Sequence, residues 1–414
     1  MVVLAISIGL VNMAPLRLVA FEAGYLSAGD ALVALLLILS FPAYLRQRRR
    51  IADREARSLE LAWIGLCIVL LLSSTNSPAF SIKACLYNLK FVEGFILYFP
   101  TVAIINSTRR VKAIAIYGAI LAIVGTGMTV AQSLHGLTNL FDSPFYNVGG
   151  WGGNRIIVGG FTRVNLPLSN WVASALLVVF SSILLRFNWK TVLLSGGLFI
   201  TILLNFARSL WLGLAAGLAV EYFYFYRLQL LTFGAKMRLL FLPVAVLIAL
   251  YVGNMLGSDD LTQGILARLD EGTYFIAHGS GTWGTRIVGI ENALKVWEGS
   301  WLFGIGTNYY SVVGQWIDIG FALVLVASGV VGLLALIWLF IRSWLFGVKT
   351  MRKGLNTGSH VAIVAGATLV GQVALMVVYQ QWLDVYVAPI LAFCGGVCTT
   401  LGIEEEDSTR RDGE

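Results

Sequence analysis

Apolar runs close to twenty residues long recur from one end of this chain to the other, separated by short polar or glycine-rich stretches. A helix needs about 20 apolar residues to cross a hydrocarbon core of about 30 Å. The pattern predicts twelve spans, at about 2–20, 26–45, 59–76, 91–106, 112–131, 168–185, 191–207, 210–226, 239–256, 319–341, 360–379 and 383–402. Met1–Pro15 lacks a basic start and a small-residue cleavage site, so it reads as the body of a somewhat short first span and not as a signal peptide. The strict alternation of a membrane barrel strand is missing. The expected fold class is therefore an all-α integral membrane protein, a single polytopic domain over 1–414.

Two connections break the rhythm, 132–167 and 257–318. The first is too rich in glycine for a regular helix, as in Val148-Gly149-Gly150-Trp151-Gly152-Gly153. The second is expected to contain an amphipathic helix near 284–298, where Ile287, Ile290, Leu294 and Trp297 share one face. A shorter amphipathic stretch runs over 79–90, with Ile82, Cys85, Leu86 and Leu89 on its apolar side. The tail 403–414, with the acidic run Glu404–Asp407, is expected to be disordered.

Composition and charge sharpen this picture. The chain is 58% hydrophobic and only 12% charged, against about 25% charged in a soluble domain. A net charge of +7 would suit nucleic acid, but the basic residues fall in short clusters between apolar runs. Twenty of the 29 Lys and Arg lie on alternate loops, the largest cluster being Arg46–Arg57. The positive-inside tendency makes those loops and both termini cytoplasmic, and puts the two long loops outside. Nine basic residues remain on the outer side: Arg17, Lys83, Lys90, Arg155, Arg163, Arg208, Arg268, Arg286 and Lys295. The four cysteines have no neighbouring histidine and read as small buried hydrophobes.

Two outer segments carry the candidate chemistry: Ala207-Arg208-Ser209-Leu210-Trp211-Leu212-Gly213, and Thr285-Arg286 through Trp297 to Gly304-Ile305-Gly306. An arginine at the edge of a membrane either snorkels to the interface or holds an anion, to which its guanidinium forks. Arg163, entering the sixth span, has the same two readings. Asp318 is the best placed candidate base, with Glu291, His278 and Asp384 as alternatives. Tyr309, Tyr310, Trp316 and Trp382 suit either an interfacial belt or sugar stacking. Gly213 and Gly217 form a GxxxG pair read as helix packing inside one chain. The spans carry almost no internal charge, which favours a site at one face over a path through the membrane.

The order, spacing and side of these two segments resemble the motifs of the bacterial O-antigen ligase and polymerase family, over about residues 150–345 by motif and the whole chain by topology. The resemblance implies a multi-span glycosyltransferase architecture of the GT-C-like type, acting without a metal at the periplasmic face of the bacterial inner membrane. It implies an undecaprenyl-pyrophosphate-linked glycan as donor and a saccharide or lipid A–core as acceptor. Arg208, Arg286 and Arg163 would bind the pyrophosphate; Asp318, Glu291 or His278 would act on the acceptor hydroxyl. Ligases of this family carry a histidine leading into the span after the large loop. Here Tyr310–Gly320 has none, and Asp318 stands roughly in its place, which favours a polymerase. A lipid-linked oligosaccharide or solute transporter is the reading from another class, since twelve spans is a common transporter plan.

Overall fold

A computed structural model describes residues 17–21, 24–51, 53–76, 92, 94–105, 107–135, 157–158, 161–162, 168–204, 208–230, 282–306, 313, 317, 320–379 and 388–411. Eleven helices appear among them. They are α1 (Ala28–Arg48), α2 (Arg54–Thr75), α3 (Tyr98–Ile104), α4 (Thr108–His135), α5 (Leu168–Leu185), α6 (Trp189–Leu204), α7 (Arg208–Arg227), α8 (Thr282–Glu298), α9 (Gly320–Thr357), α10 (His360–Tyr379) and α11 (Ala388–Arg411). Two short antiparallel hairpins complete the description, β1 (Arg17–Phe21) with β2 (Gly24–Ser27), and β3 (Ile157–Val158) with β4 (Phe161–Thr162).

Four helices, α1, α2, α9 and α10, are long and apolar enough to cross a membrane. The distribution of side chains agrees with lipid as the surrounding medium. Ile38, Leu39, Ile116, Leu193, Leu212 and Leu334 point outward and are each more than half exposed. Serine, threonine, glutamine and glutamate side chains lie inside instead. The protein is read as an integral membrane protein.

The α9–α10 hairpin is the centre of the bundle. Gly358 turns the chain with φ +69° in open space, and Ser359 N–H closes the end of α9 on Gly354 O at 2.8 Å. Glycines then let the two helices touch: a Cβ on Gly347 would lie 2.9 Å from Gly366 O, and one on Gly354 would lie 2.9 Å from the Ala362 Cβ. Small residues at such crossings replace the hydrophobic drive that lipid removes. The helices α7, α5 and α11 pack on α10, and α2 packs on α9. α4 and α6 add a layer on α5.

The α2–α9 pair runs antiparallel and is tied at both ends. Asp53 caps α2 by accepting from Glu55 N–H at 2.8 Å and accepts from Lys349 Nζ at 2.7 Å. Arg342 reaches Glu55 at 3.2 Å beside it. At the other end Asn76 Nδ2 donates to Gly304 O at 2.8 Å. From Asp53 to Asn76 the helix rises roughly 34 Å, about one bilayer core.

Beside Asn76, α9 is broken. Gly329 has φ +66° and ψ −168°, a conformation outside any helix and essentially open to glycine alone. The freed backbone groups are taken up by the segment before the helix. Ile305 N–H and Gly306 N–H donate to Val326 O and Ala327 O at 2.8 and 2.9 Å, and Val330 N–H and Val331 N–H donate to Trp301 O and Leu302 O at 3.0 and 3.2 Å. Gly304 fits because it has no side chain: its Cβ would lie 2.6 Å from the Val326 carbonyl oxygen. The 301–306 segment is thus a backbone clamp on α9.

Several expectations change. At the end of the expected first span 2–20, Arg17–Phe21 is not helical but pairs with Gly24–Ser27 as a hairpin; residues 2–16 lie outside the described residues. Within the expected span 91–106 an apolar helix runs over Gly94–Ile104, with a turn at Leu97 before α3, and gives way to extended backbone at Ile105. The 319–341 span continues to Thr357, since Lys349 and Lys353 are engaged by Asp53 and by Gly402 O. The tail expected to be disordered is helical as far as Arg411; Glu406 and Arg410, and Asp407 and Arg411, have the i,i+4 spacing that supports a helix. The spans at 168–185 and 360–379 coincide with α5 and α10. The 239–256 span and the 79–90 stretch lie outside the described residues.

Candidate functional site

Arg208 is the first residue of α7. Trp211 of the same helix donates its indole N–H to Ile202 O of α6 at 2.8 Å, which ties the start of α7 to the end of α6. Below it, α7 lies hard against α10. A Cβ on Gly213 would lie 2.9 Å from Leu375 O, and one on Gly217 would lie 2.8 Å from Gly371 O. The GxxxG pair is therefore a packing device inside the chain, as its spacing predicts.

Arg286 is the fifth residue of α8, near that helix's N-terminal end. α8 packs on the beginning of α9, in a small core made by Ala293, Ile305, Ile317, Ala322 and Val326 with Ile290, Val296 and Trp297 against it. The expected apolar face is partly right: Ile290 and Trp297 join this core, while Ala293 is its buried centre in place of Leu294. Trp297 Nε1–H donates to Trp301 O at 3.2 Å and so leads the chain into the clamp. Trp297, Gly304 and Gly306 of the second motif thus have positions in one structural unit, which mounts α8 on α9.

The two arginine helices stand on the same frame, α7 on α10 and α8 on α9. Arg208 opens its helix, where unpaired N–H groups and the helix dipole favour an anion; Arg286 stands one turn in from the start of α8. Glu291 is exposed on α8, about 140° round the helix from Arg286, which separates it from that arginine. Arg163, His278 and Asp318 lie outside the described residues, as do Asp384, Tyr309, Tyr310, Trp316 and Trp382. Among the described residues no cluster of three His, Cys, Asp or Glu is built to hold a metal.

The expectation of almost no internal charge needs one addition: two carboxyl side chains are buried inside the bundle. Glu221 of α7 is fully buried, with Oε2 accepting from Ser181 Oγ at 2.8 Å. Glu60 of α2 is also buried, held by Arg48 Nε at 2.7 Å and by the Tyr44 hydroxyl. Gln372 of α10 is fully buried beside them in kind, its Oε1 accepting from Ser174 Oγ at 2.8 Å. Sequence reading missed these because Glu60 and Glu221 each stand six residues from an arginine at the end of the helix, Arg54 and Arg227, which looks like an interfacial position. At the Asp53 end, burial raises the Asp53 carboxyl, but the Lys349 ammonium and the N–H groups of Glu55 and Ala56 outweigh it and hold the carboxyl below its ordinary value.

No model of a known protein family matches the chain, and no curated protein matches it.

Proposed function

We propose that this protein transfers a glycan from an undecaprenyl-pyrophosphate carrier to a saccharide acceptor at the periplasmic face of a bacterial inner membrane, as a repeat-unit polymerase. The observation that carries the reading is the pair Arg208 and Arg286, each in the opening residues of a helix, with both helices mounted on the α9–α10 hairpin. The likeness of the two motifs to O-antigen polymerases adds to it, as does the absence of a histidine from Tyr310–Gly320. The alternate basic loops put this end of the bundle outside, within a twelve-span topology with both termini cytoplasmic.

The chemistry asks little of the protein. The acceptor hydroxyl oxygen attacks the anomeric carbon, the bond from that carbon to the pyrophosphate oxygen breaks, and pyrophosphate leaves with the electron pair. The hydroxyl proton passes to a carboxylate, for which Asp318 is the candidate. A pyrophosphate needs no protonation to leave, so fixed positive charge is the main contribution. At about 4 Å and an effective dielectric near 20, one guanidinium contact with a phosphate charge contributes about 4 kcal/mol before desolvation.

Arg208→Ala and Arg286→Ala should each abolish polymer formation while the protein still inserts and accumulates. The assay is a size profile of surface polysaccharide from a deletion strain carrying each variant. Core bearing a single repeat is the polymerase outcome, and bare core with accumulated lipid-linked polymer is the ligase outcome. Full-length polymer from both single variants rejects the pyrophosphate site.

A transporter of lipid-linked oligosaccharide is the second reading, favoured by the break at Gly329 and the buried Glu221. Broken helices and buried polar groups mark many transport paths. Purified protein in vesicles with lipid-linked repeat separates the two: new glycosidic bonds support the enzyme, and transbilayer movement without bond formation supports the transporter.

A further inference from the structure

The interface of α5, α7 and α10 is polar although it is buried. Ser174 and Ser181 lie two turns apart on α5 and hold Gln372 Oε1 and Glu221 Oε2. Three buried polar atoms of α7 and α10 have no partner among the described residues: Glu221 Oε1, Gln372 Nε2 and Thr368 Oγ1. All three side chains are at least 97% buried. Gly371 makes the space, since a Cβ there would lie 2.7 Å from Glu221 Oε1. Gly371 is in the middle of α10, a helix long and apolar enough to cross a membrane. The carboxyl is therefore membrane-embedded.

A permanent carboxylate with one serine donor is poorly compensated at such a depth. No cation pairs with Glu221 among the described residues. α5 presents Ser181, and α10 presents Gly371 flanked by Thr368 and Gln372, none of which titrates. α11 brings the Cys394 thiol into electrostatic range. The Lys190 ammonium of α6 is exposed over the Trp189 ring. On α9, Arg342 and Lys349 are engaged with α2, and Trp344 donates to the Tyr224 hydroxyl of α7 at 2.9 Å.

We propose that Glu221 is a reversible, membrane-embedded proton-binding site, with the proton on Oε1 and Ser181 holding Oε2. The proton neutralises the carboxyl in one state. In the other, the amide of Gln372 and the hydroxyl of Thr368, both within one turn of Gly371 on α10, are free donors for the carboxylate. The site does not depend on what Arg208 and Arg286 bind.

The test is pH-dependent infrared difference spectroscopy on the full-length protein in lipid. A carboxylic-acid carbonyl band should vanish as pH rises, return as it falls, and be missing from Glu221→Gln. Ser181→Ala removes a donor to the anion, so its midpoint should rise by about one pH unit; this variant decides the matter if Glu221→Gln does not fold. A band that Glu221→Gln leaves in place overturns the proposal. So does a band that never titrates while the protein stays folded, or a midpoint that Ser181→Ala leaves unmoved. Loss of the band on adding sodium chloride at fixed pH overturns it in favour of an alkali-cation site.

Discussion

Gly329→Ala sets a methyl group where α9 has no room for one. The added Cβ would collide with the Leu302 carbonyl and lie 2.6 Å from Phe303 N. Holding alanine in that backbone conformation costs about 1–3 kcal/mol, and forcing a methyl into a packed contact costs about 1–3 kcal/mol more. The expected loss is the sum, about 2–6 kcal/mol. Peeling the clamp away to relieve the clash forfeits four backbone hydrogen bonds at about 0.5–1.5 kcal/mol each, which falls in the same range. Gly358→Ala is the matched control: its φ is also positive, +69°, but nothing lies within 4 Å of the new Cβ. It should cost only about 1–2 kcal/mol. The assay is equilibrium unfolding in mixed micelles followed by tryptophan fluorescence, with limited proteolysis around 299–303 to detect release of the clamp. Equal destabilisation by the two substitutions, with no new cleavage, would refute the reasoning.

Three other substitutions probe separate contacts. Gly217→Ala should destabilise by about 1–3 kcal/mol in the same unfolding assay, because its Cβ meets Gly371 O at 2.8 Å and Leu177 at 3.0 Å. Trp211→Phe removes the bond to Ile202 O and should cost about 1 kcal/mol in that assay. Asp53 has a depressed folded-state value, so its contribution is present above a pH of about 4 and is lost as pH falls through that lower value. Asp53→Asn should flatten that acid loss at a cost under about 1 kcal/mol at neutral pH, because the cap survives.

The elements legible in the sequence were those whose apolar run and turn signals coincide. α10 is bounded by Gly358 and Ser359 on one side, and its predicted span 360–379 coincides with the helix. α9 was misjudged at its end because Arg342 looks like a stop signal, although Glu55 pairs with it and lets the helix continue. The break within α9 left no mark beyond one glycine in Ala327-Ser328-Gly329-Val330. Its cause is a segment folded back from outside the helix, which no local pattern encodes. The same limit applies to the candidate site. Spacing singled out Trp211 and the Gly304–Gly306 motif, and both have specific contacts. Glu221 needed the third dimension, because its partners come from α5 and α10.

The bond from Asn76 to Gly304 joins residues 228 apart in the chain. The clamp itself is made just before α9 and can close as soon as α9 emerges. α2 is tied to α1 through Glu60, but its far end at Asn76 bonds to a residue made much later. At about 5–20 residues per second of synthesis, its far end waits roughly 10–45 s for residue 304. During that interval Asn76 and one face of α2 depend on lipid headgroups, water or an insertion factor. The seam between α2 and the later half of the molecule therefore closes long after α2 is made, and a delay in translation between them lengthens the period in which the protein is vulnerable to membrane proteases.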